Sequence, residues 1–168
     1  MSAALGDESI RRARAEDVAA ICAFGAAELP PHYGPLIGAA AAAALVDEWW
    51  NPRITADAVE AGLLWIVRDP TGDVVGVGEV GSLDGEPVVY KLYVAASRRG
   101  EGIGARLLEA MIATLPDGVA RVLLEHVAAN HRAAAFYERQ GFVLDRIEVV
   151  DPAAPERDVV WRSRPLIV

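Results

Sequence analysis

The residues best suited to chemistry lie in a glycine-rich segment of the second half of the chain. An apolar strand pattern at 88–94 is followed by two adjacent arginines and then by Gly100, Gly102 and Gly104, where a helix pattern begins. The first turn of a helix exposes unpaired backbone N–H groups, and the helix dipole favours an anion there. Glycines allow a phosphate to approach this backbone closely. The segment therefore predicts a cradle for a pyrophosphate group.

One alternative ligand for this segment is a dinucleotide. Gly100-x-Gly102-x-x-Ala105 matches the glycine–alanine form of the dinucleotide fingerprint, and Glu125 follows about 20 residues later at a predicted strand end. However, five residues separate Val94 from Gly100, whereas the dinucleotide turn begins almost directly after its strand. Only 43 residues follow Glu125, too few for the second half of a doubly wound sheet. The preceding strands also form a meander, so the dinucleotide stays a remote alternative.

Two motifs resemble the signature of the GNAT family of N-acetyltransferases. The first is an Arg/Gln-x-x-Gly-x-Gly/Ala loop after a strand that ends in an apolar-x-Val pattern. The chain supplies it as Leu92-Tyr93-Val94 followed by Arg99 to Gly104. The second is Asn-x-x-Ala-x-x-x-Tyr-x-x-x-Gly-Phe, present without a gap as Asn130, Ala133, Tyr137, Gly141 and Phe142. Together the motifs make the resemblance specific over 88–142, and the element order extends it over 9–150.

The resemblance implies a mixed α/β fold, in which helices flank a central, mostly antiparallel sheet whose fourth and fifth strands splay apart. The gap would hold the pantetheine arm of acetyl-CoA, which pairs with the backbone of Leu92 and Val94 like an added strand. The pyrophosphate would lie on the loop that follows. The residues expected to hold it are Arg99, Gly100, Gly102, Gly104 and Ala105. No metal ion is expected.

The same resemblance implies acetyl transfer from acetyl-CoA to a primary amine by direct attack, without a covalent acyl-enzyme. Tyr137 would protonate the departing thiolate; the competing interpretation is a core tyrosine beside Phe136. Asn130 would hydrogen-bond the CoA arm, cap the following helix, or do both. A non-catalytic acyl-CoA-binding module is the alternative function.

No residue is an obvious general base. An aliphatic ammonium has a pKa near 10 and must lose a proton before it can attack. Many relatives have glutamates on the strand with the apolar-x-Val ending, where this chain has apolar residues and Tyr90. Glu79, on the preceding strand, is the expected substitute and would act through water; an outward-facing strand residue is the competing interpretation. His126 and His131 are expected at the surface.

No motif identifies the acceptor amine. In this family the first helices and their loop form the acceptor site. The candidates to line it are His32, Tyr33, Trp49 and Trp50, although burial in the core is the competing interpretation for the tryptophans. Residues 1–89 contain 14 acids and 5 bases, whereas residues 90–168 contain 10 acids and 11 bases. This asymmetry predicts a cationic small-molecule or peptide amine on the acidic half and an anionic ligand on the other half.

Hydrophobic periodicity predicts the elements that position these residues. The predicted strands are 9–13, 63–68, 74–80, 88–94, 121–127, 142–150 and 159–162. The predicted helices begin near 15 and cover 36–50, 55–61, a segment through 107–115, and 130–140. A loop holding His32 and Tyr33 is predicted from helix-breaking residues, which are Pro30, Pro31, Gly34 and Pro35.

Length and composition limit the remaining possibilities. A chain of 168 residues that is 53% apolar fits one domain, 1–168, and is not intrinsically disordered. Cys22 is the only cysteine, so neither an internal disulfide nor a cysteine-based metal cluster is expected. The net charge of −8 argues against nucleic acid or an anionic membrane as partner. Residues 1–8 show no signal-peptide pattern, so the expected location is the cytoplasm; homodimers are common in the family.

Overall fold

A computed structural model describes residues 9–166, and the expectation about residues 1–8 lies outside this range. The strands are β1 (Ser9–Arg12), β2 (Leu64–Arg68), β3 (Val74–Leu83), β4 (Glu86–Val94), β5 (Arg121–Val127), β6 (Val143–Glu148) and β7 (Val159–Pro165). The helices are α1 (Val18–Ile37), α2 (Ala39–Trp49), α3 (Pro52–Glu60), α4 (Ile103–Ile112) and α5 (His131–Arg139). None of these helices is long and apolar enough to cross a membrane.

The strands form one mixed sheet in the order β1-β2-β3-β4-β5-β7-β6. Neighbouring strands are antiparallel except β4 and β5, which are parallel. These two strands pair only at Val88–Leu123 and Val89–Leu124, within the residues described, and then separate toward their carboxyl ends. The expected mixed α/β fold with a mostly antiparallel sheet and splayed central strands is confirmed.

A β-bulge in β4 lies where the two strands begin to separate. Val89 pairs with Val80 and Lys91 pairs with Glu79, so Tyr90 is an extra residue without a direct partner on β3. A bulge bends its strand and increases the local twist. The bulge therefore helps to direct the end of β4 away from β5.

Close packing of α4 on the sheet fixes the position of the loop that precedes this helix. Leu107, Leu108 and Met111 of α4 are fully buried. A Cβ atom on Gly78 of β3 would lie 2.6 Å from the Met111 sulfur, so a side chain at this position would displace the buried side chain of Met111. Burying one such apolar side chain contributes about 1.5–3 kcal/mol to folding. The sheet thus holds the amino end of α4, and with it the glycine-rich loop, beside the end of β4.

The prediction of a loop around Pro30 and Pro31 is wrong, because α1 continues through both prolines and ends at Ile37. Proline fixes φ near −65°, which a helix tolerates, so its cost is steric crowding and a lost hydrogen bond. Leu29 and Tyr33 are buried in the main core, and this packing offsets that cost. Gly38, whose φ is +93°, is the C-cap residue of α1, so α2 starts at Ala39, three residues later than predicted.

Candidate active site

The gap between β4 and β5 opens into a cavity of about 420 Å³. Its walls come from β4, the loop before α4, the end of β5, α5 and the second half of α1. Nine of the ten predicted site residues line it, namely Leu92, Val94, Arg99, Gly100, Gly102, Gly104, Ala105, Asn130 and Tyr137. The structure thus brings the two sequence motifs together, while the role of each residue stays a prediction.

The glycine-rich loop has the backbone geometry of an anion site. Gly100 and Gly102 have φ values of +84° and +79°, in the left-handed region that side chains disfavour. A Cβ atom on either glycine would meet no protein atom within 4 Å, so the space in front of the loop is open. Gly102 is also the N-cap residue of α4. The loop and the helix start therefore fit the diphosphate of a CoA-type ligand.

The two adjacent arginines of the loop differ in their surroundings. Arg98 pairs with Glu101 at 2.8 Å and with Asp69 at 3.7 Å, and these contacts tie the loop to the turn before β3. Arg99 lines the cavity and forms no ion pair with any described residue. Arg98 is thus part of the loop's framework, and Arg99 is available to a ligand.

All four tyrosines of the chain, which are Tyr33, Tyr90, Tyr93 and Tyr137, line this cavity. The hydroxyls of Tyr33 and Tyr93 are 2.9 Å apart and share a hydrogen bond. Burial raises the pKa of Tyr33, and it raises the pKa of Tyr93 much further above the ordinary value. At neutral pH these phenols therefore remain protonated.

Tyr137 is the tyrosine predicted to be catalytic. Its ring packs against Phe136, Phe142 and His126, with centroids 5.4, 5.9 and 6.0 Å away. Burial raises its pKa strongly, and the neighbouring Tyr33 adds to the rise. No described residue hydrogen-bonds its hydroxyl. The phenol is therefore protonated and able to donate a hydrogen bond into the cavity.

Asn130 caps α5 and also connects α5 to α1. Its Oδ1 accepts a hydrogen bond from the Ala133 backbone N–H at 3.1 Å, so its Nδ2 must act as a donor. That Nδ2 lies 3.2 Å from Nε2 of His32, which consequently accepts and carries its proton on Nδ1. Burial lowers the pKa of His32, and the charges of Arg99 and Arg132 lower it further. The expected N-cap role of Asn130 is confirmed, and its contact with CoA stays a prediction.

Glu125 is a site residue that the sequence did not identify as a base. It is the one carboxylate among the described residues that line the cavity. The Glu125 side chain is exposed in part, but the cavity walls around it remove some of its hydration, and this burial raises its pKa. The charge of Glu148 raises the pKa further, whereas the charge of Arg146 lowers it. The sequence did place Glu125 near the end of β5, the strand that borders the gap between β4 and β5. Across residues 9–166, no three acidic, histidine or cysteine side chains are grouped as a metal site.

Glu79 is the predicted site residue that the structure does not bring to the cavity. Its Oε2 is 2.6 Å from Nζ of Lys91, and both side chains are largely buried. Nζ of Lys91 also lies 5.0 Å from the ring centre of Trp50. Glu79 is therefore half of a structural ion pair, and its relay role stays an untested prediction.

Of the four residues predicted to line the acceptor site, two lie at the cavity and two do not. His32 and Tyr33 line the cavity, whereas Trp50 is in the core and Trp49 is half exposed outside it. The expectation of a surface position for His126 is wrong, because β5 directs it under α5, where its Nε2 accepts a hydrogen bond from Arg162 at 2.9 Å. His131 is exposed, as expected. From the described part of the acidic half, the cavity receives His32, Tyr33 and Val89 but no carboxylate.

Comparisons with known proteins agree with this geometry. A model of the acetyltransferase (GNAT) domain matches residues 60–144. The fold is similar to the crystal structure of PaiA N-acetyltransferase from Thermoplasma acidophilum in complex with coenzyme A, with a TM-score of 0.79 and 16% identity over 95% of this chain and 99% of that chain.

A second similar structure is the ribosomal-protein-S18-alanine N-acetyltransferase from Escherichia coli, with a TM-score of 0.67 and 22% identity over 96% of each chain. At these identities the two likenesses establish the fold. No curated protein matches the chain significantly in sequence.

The matched region covers just over half of the chain and contains the glycine-rich loop, the end of β5 and the whole of α5. It therefore includes most of the cavity wall as well as both motifs. The protein belongs to the GNAT family and is an acetyl-CoA-dependent acetyltransferase.

Proposed function

We propose that the protein transfers an acetyl group from acetyl-CoA to a primary amine of a small molecule or peptide by direct attack, with Glu125 as the base and Tyr137 as the acid. The observation that carries this proposal is the polarity of the cavity. Unpaired guanidinium charge and open backbone N–H groups lie at the loop. A carboxylate and buried phenols with raised pKa values lie on the other walls.

The loop side of the cavity suits the anionic part of acetyl-CoA. Arg99 and the backbone of Gly100, Gly102 and Gly104 would hold the diphosphate. The pantetheine arm would run along the separated end of β4, where Leu92 and Val94 line the gap. This placement directs the thioester toward Tyr137 and away from bulk solvent.

The tyrosine side of the cavity suits the reaction. Glu125 interacts electrostatically with Tyr33, Tyr90 and Tyr93, and Tyr137 interacts with Tyr33 and Tyr93. These groups therefore form one cluster, with the carboxylate and the free phenol in the same cavity. A carboxyl group whose pKa is raised toward neutrality is a better base than an ordinary one.

The proton balance of the proposed reaction is complete without a further group. The acceptor ammonium loses one proton to Glu125, and its nitrogen then attacks the thioester carbonyl carbon. The carbon–sulfur bond breaks as Tyr137 gives its proton to the leaving sulfur. The second proton of the attacking nitrogen replaces the one that Tyr137 has donated. The products are the acetylated amine, free CoA and one proton released to solvent.

The base is assigned to Glu125 rather than Glu79 for two reasons. Glu79 is neutralised by Lys91 at 2.6 Å, and it does not line the cavity. Removing a proton from an amine would require that ion pair to open, which leaves a buried charge without a partner. Glu125 lines the cavity and has no ion-pair partner among the described residues.

A screen of amines tests the proposal. Polyamines, aminoglycosides, amino acids and peptides with free amino termini are each incubated with acetyl-CoA, and a thiol reagent measures the release of CoA. We expect release that depends on at least one amine, with a mass gain of one acetyl group on that amine. Tight acetyl-CoA binding without amine-dependent release from any class would instead favour the non-catalytic binding module.

A further inference from the structure

Three of the four arginines that line the cavity differ from most other arginines of the described region. Outside the cavity, most arginines of the described region pair with carboxylates; examples are Arg11 and Arg68 with Asp17, Arg121 with Glu86, and Arg164 with Glu109. Arg99, Arg132 and Arg139 line the cavity and have no carboxylate within 4.0 Å among residues 9–166. A chain with a net charge of −8 has acids to spare. The three free cations therefore indicate a ligand with more than one anionic group.

Two of these arginines lie on one face of α5. Arg132 is in its first turn and Arg139 in its last, seven residues apart, which places them on the same side of the helix. Between them lies Phe136, whose ring would be 3.4 Å from a Cβ atom on Gly104. Phe136 thus packs against the start of α4, and Arg132 and Arg139 lie about one helical turn before and after it along α5.

Arg132 and Arg99 of the loop also act electrostatically on the same side chain, His32. Burial lowers the pKa of His32, and the charges of Arg99 and Arg132 lower it further; all three side chains line the same cavity. Because its pKa is lowered, His32 is neutral at neutral pH, and its Nε2 accepts a hydrogen bond from Nδ2 of Asn130. The imidazole therefore carries no charge, and no described carboxylate pairs with either arginine, so their positive charge stays uncompensated by the described residues.

The number of anionic groups on the ligand matches this arrangement. Coenzyme A carries a diphosphate and a separate phosphate on the 3′ oxygen of its ribose. In the proposed placement, the loop backbone and Arg99 bind the diphosphate. The 3′-phosphate then needs positively charged side chains elsewhere in the cavity. We infer that Arg132 and Arg139 of α5 form a subsite for the 3′-phosphate, and that the protein uses them to select CoA over dephospho-CoA.

This inference rests on the proposed placement of the diphosphate at the loop, but it does not depend on turnover. It concerns binding of the free co-substrate, so a failure of acetyl transfer would leave it intact. A charge-assisted, bidentate contact supports a preference for CoA of about 10- to 100-fold at low salt.

Calorimetric binding of CoA and of dephospho-CoA to the free protein tests the subsite. The variants are Arg132→Ala, Arg139→Ala and the double substitution, with Arg157→Ala, an exposed arginine outside the cavity, as the matched control. We expect the preference for CoA to fall in each single variant and to vanish in the double variant. Affinity for dephospho-CoA should change by less than about twofold. Arg157→Ala should keep the wild-type preference.

Three outcomes would overturn the inference. The first is a wild-type protein that binds both ligands equally. The second is a double variant that keeps the preference, and the third is a parallel loss of affinity for both ligands, which would assign these arginines to the diphosphate. Thermal melting of each variant checks folding, and Arg132→Lys with Arg139→Lys provides a conservative pair that should retain part of the preference.

Discussion

The two ends of the cavity are built on different physical principles. The loop end presents backbone N–H groups, the exposed left-handed glycines Gly100 and Gly102, and the half-buried Arg99, which has no described ion-pair partner. At the tyrosine end Tyr33 and Tyr137 are buried, and burial is the largest cause of the raised pKa values of Tyr93 and Tyr137. The first end thus relies on charge and shape, whereas the second relies on burial that controls protonation.

This difference separates binding from chemistry within one cavity. Changes at the loop end should alter affinity for the co-substrate and its dependence on salt. Changes at the tyrosine end should alter turnover and its dependence on pH while affinity is preserved. Four substitutions test how sharply this division holds.

The largest effect is expected at Tyr137. Tyr137→Phe keeps the ring among Phe136, Phe142 and His126 but removes the only proton that it can donate. Turnover should fall by about 10- to 1000-fold while acetyl-CoA affinity stays nearly constant. Steady-state kinetics combined with calorimetry measures both quantities. Wild-type turnover in this variant would mean that water protonates the thiolate and that Tyr137 has a packing role.

The next largest effect is expected at Glu125. Wild-type turnover should rise as pH increases through the raised pKa of this carboxyl group, because only its ionised form accepts a proton. Glu125→Gln should lower turnover by about 10- to 100-fold and remove this rise from the pH–rate profile.

Glu79→Gln is the matched comparison for Glu125→Gln. It breaks the ion pair with Lys91, so it should lower the melting temperature while leaving the pH–rate profile unchanged. Loss of the pH-dependent rise in this variant, with Glu125→Gln active, would return the role of base to Glu79.

A smaller effect is expected at the loop end. Gly102→Ala places a side chain at a φ of +79° and partly fills the space in front of the loop. We expect a loss of about 1–2 kcal/mol in the free energy of unfolding and about tenfold weaker acetyl-CoA binding.

Gly85→Ala, in the turn between β3 and β4, is the control because its φ of +83° is similar and a Cβ there also meets open space. It should lose similar stability but no affinity. Equal affinity in the two variants would mean that the phosphates bind elsewhere.

The smallest effect is expected at His32, which contacts Asn130 and the ring of Tyr33. His32→Ala leaves Nδ2 of Asn130 without its partner and should weaken acetyl-CoA binding about threefold without changing turnover. The lowered pKa of His32 means that the folded protein binds this proton less readily than the unfolded chain. Its contribution to stability is therefore present above the ordinary histidine pKa and is lost as pH falls below it.

His131→Ala, an exposed neighbour on α5, should leave affinity unchanged. A large loss of turnover in His32→Ala would contradict the separation of the two ends, because it would make His32 part of the chemistry.

The loop end could be predicted from the sequence because its determinants are local. The glycines, the preceding strand and the Asn130–Tyr137 spacing all lie within short segments, where residue type dictates backbone geometry directly. Glu125 was not identified as a base because its position in the cavity depends on the register of β5 against β7 and on its separation from β4. These are long-range features that no local pattern encodes.

The amino-terminal helices illustrate a second limit. The prolines at 30 and 31 favour a loop by local rules, yet tertiary packing of Leu29 and Tyr33 maintains α1 through them. The charge asymmetry between the two halves of the chain did not indicate where the carboxylate of the cavity would come from, because Glu125 belongs to the less acidic half. Net charge describes a segment as a whole, whereas a site depends on which few side chains the fold directs inward.

The sparse pairing of β4 with β5 also has a kinetic consequence. Amide hydrogens exchange with solvent water when their hydrogen bonds open, and within residues 9–166 these strands are joined by only two register pairs. Amides that point into the gap beyond Val89 and Leu124 should therefore take up deuterium within a short time in the free protein. A co-substrate arm that supplies backbone partners would slow this uptake in 91–94, while β2, paired on both sides, would change little. Occupancy of the gap could then be followed residue by residue, without any acceptor present.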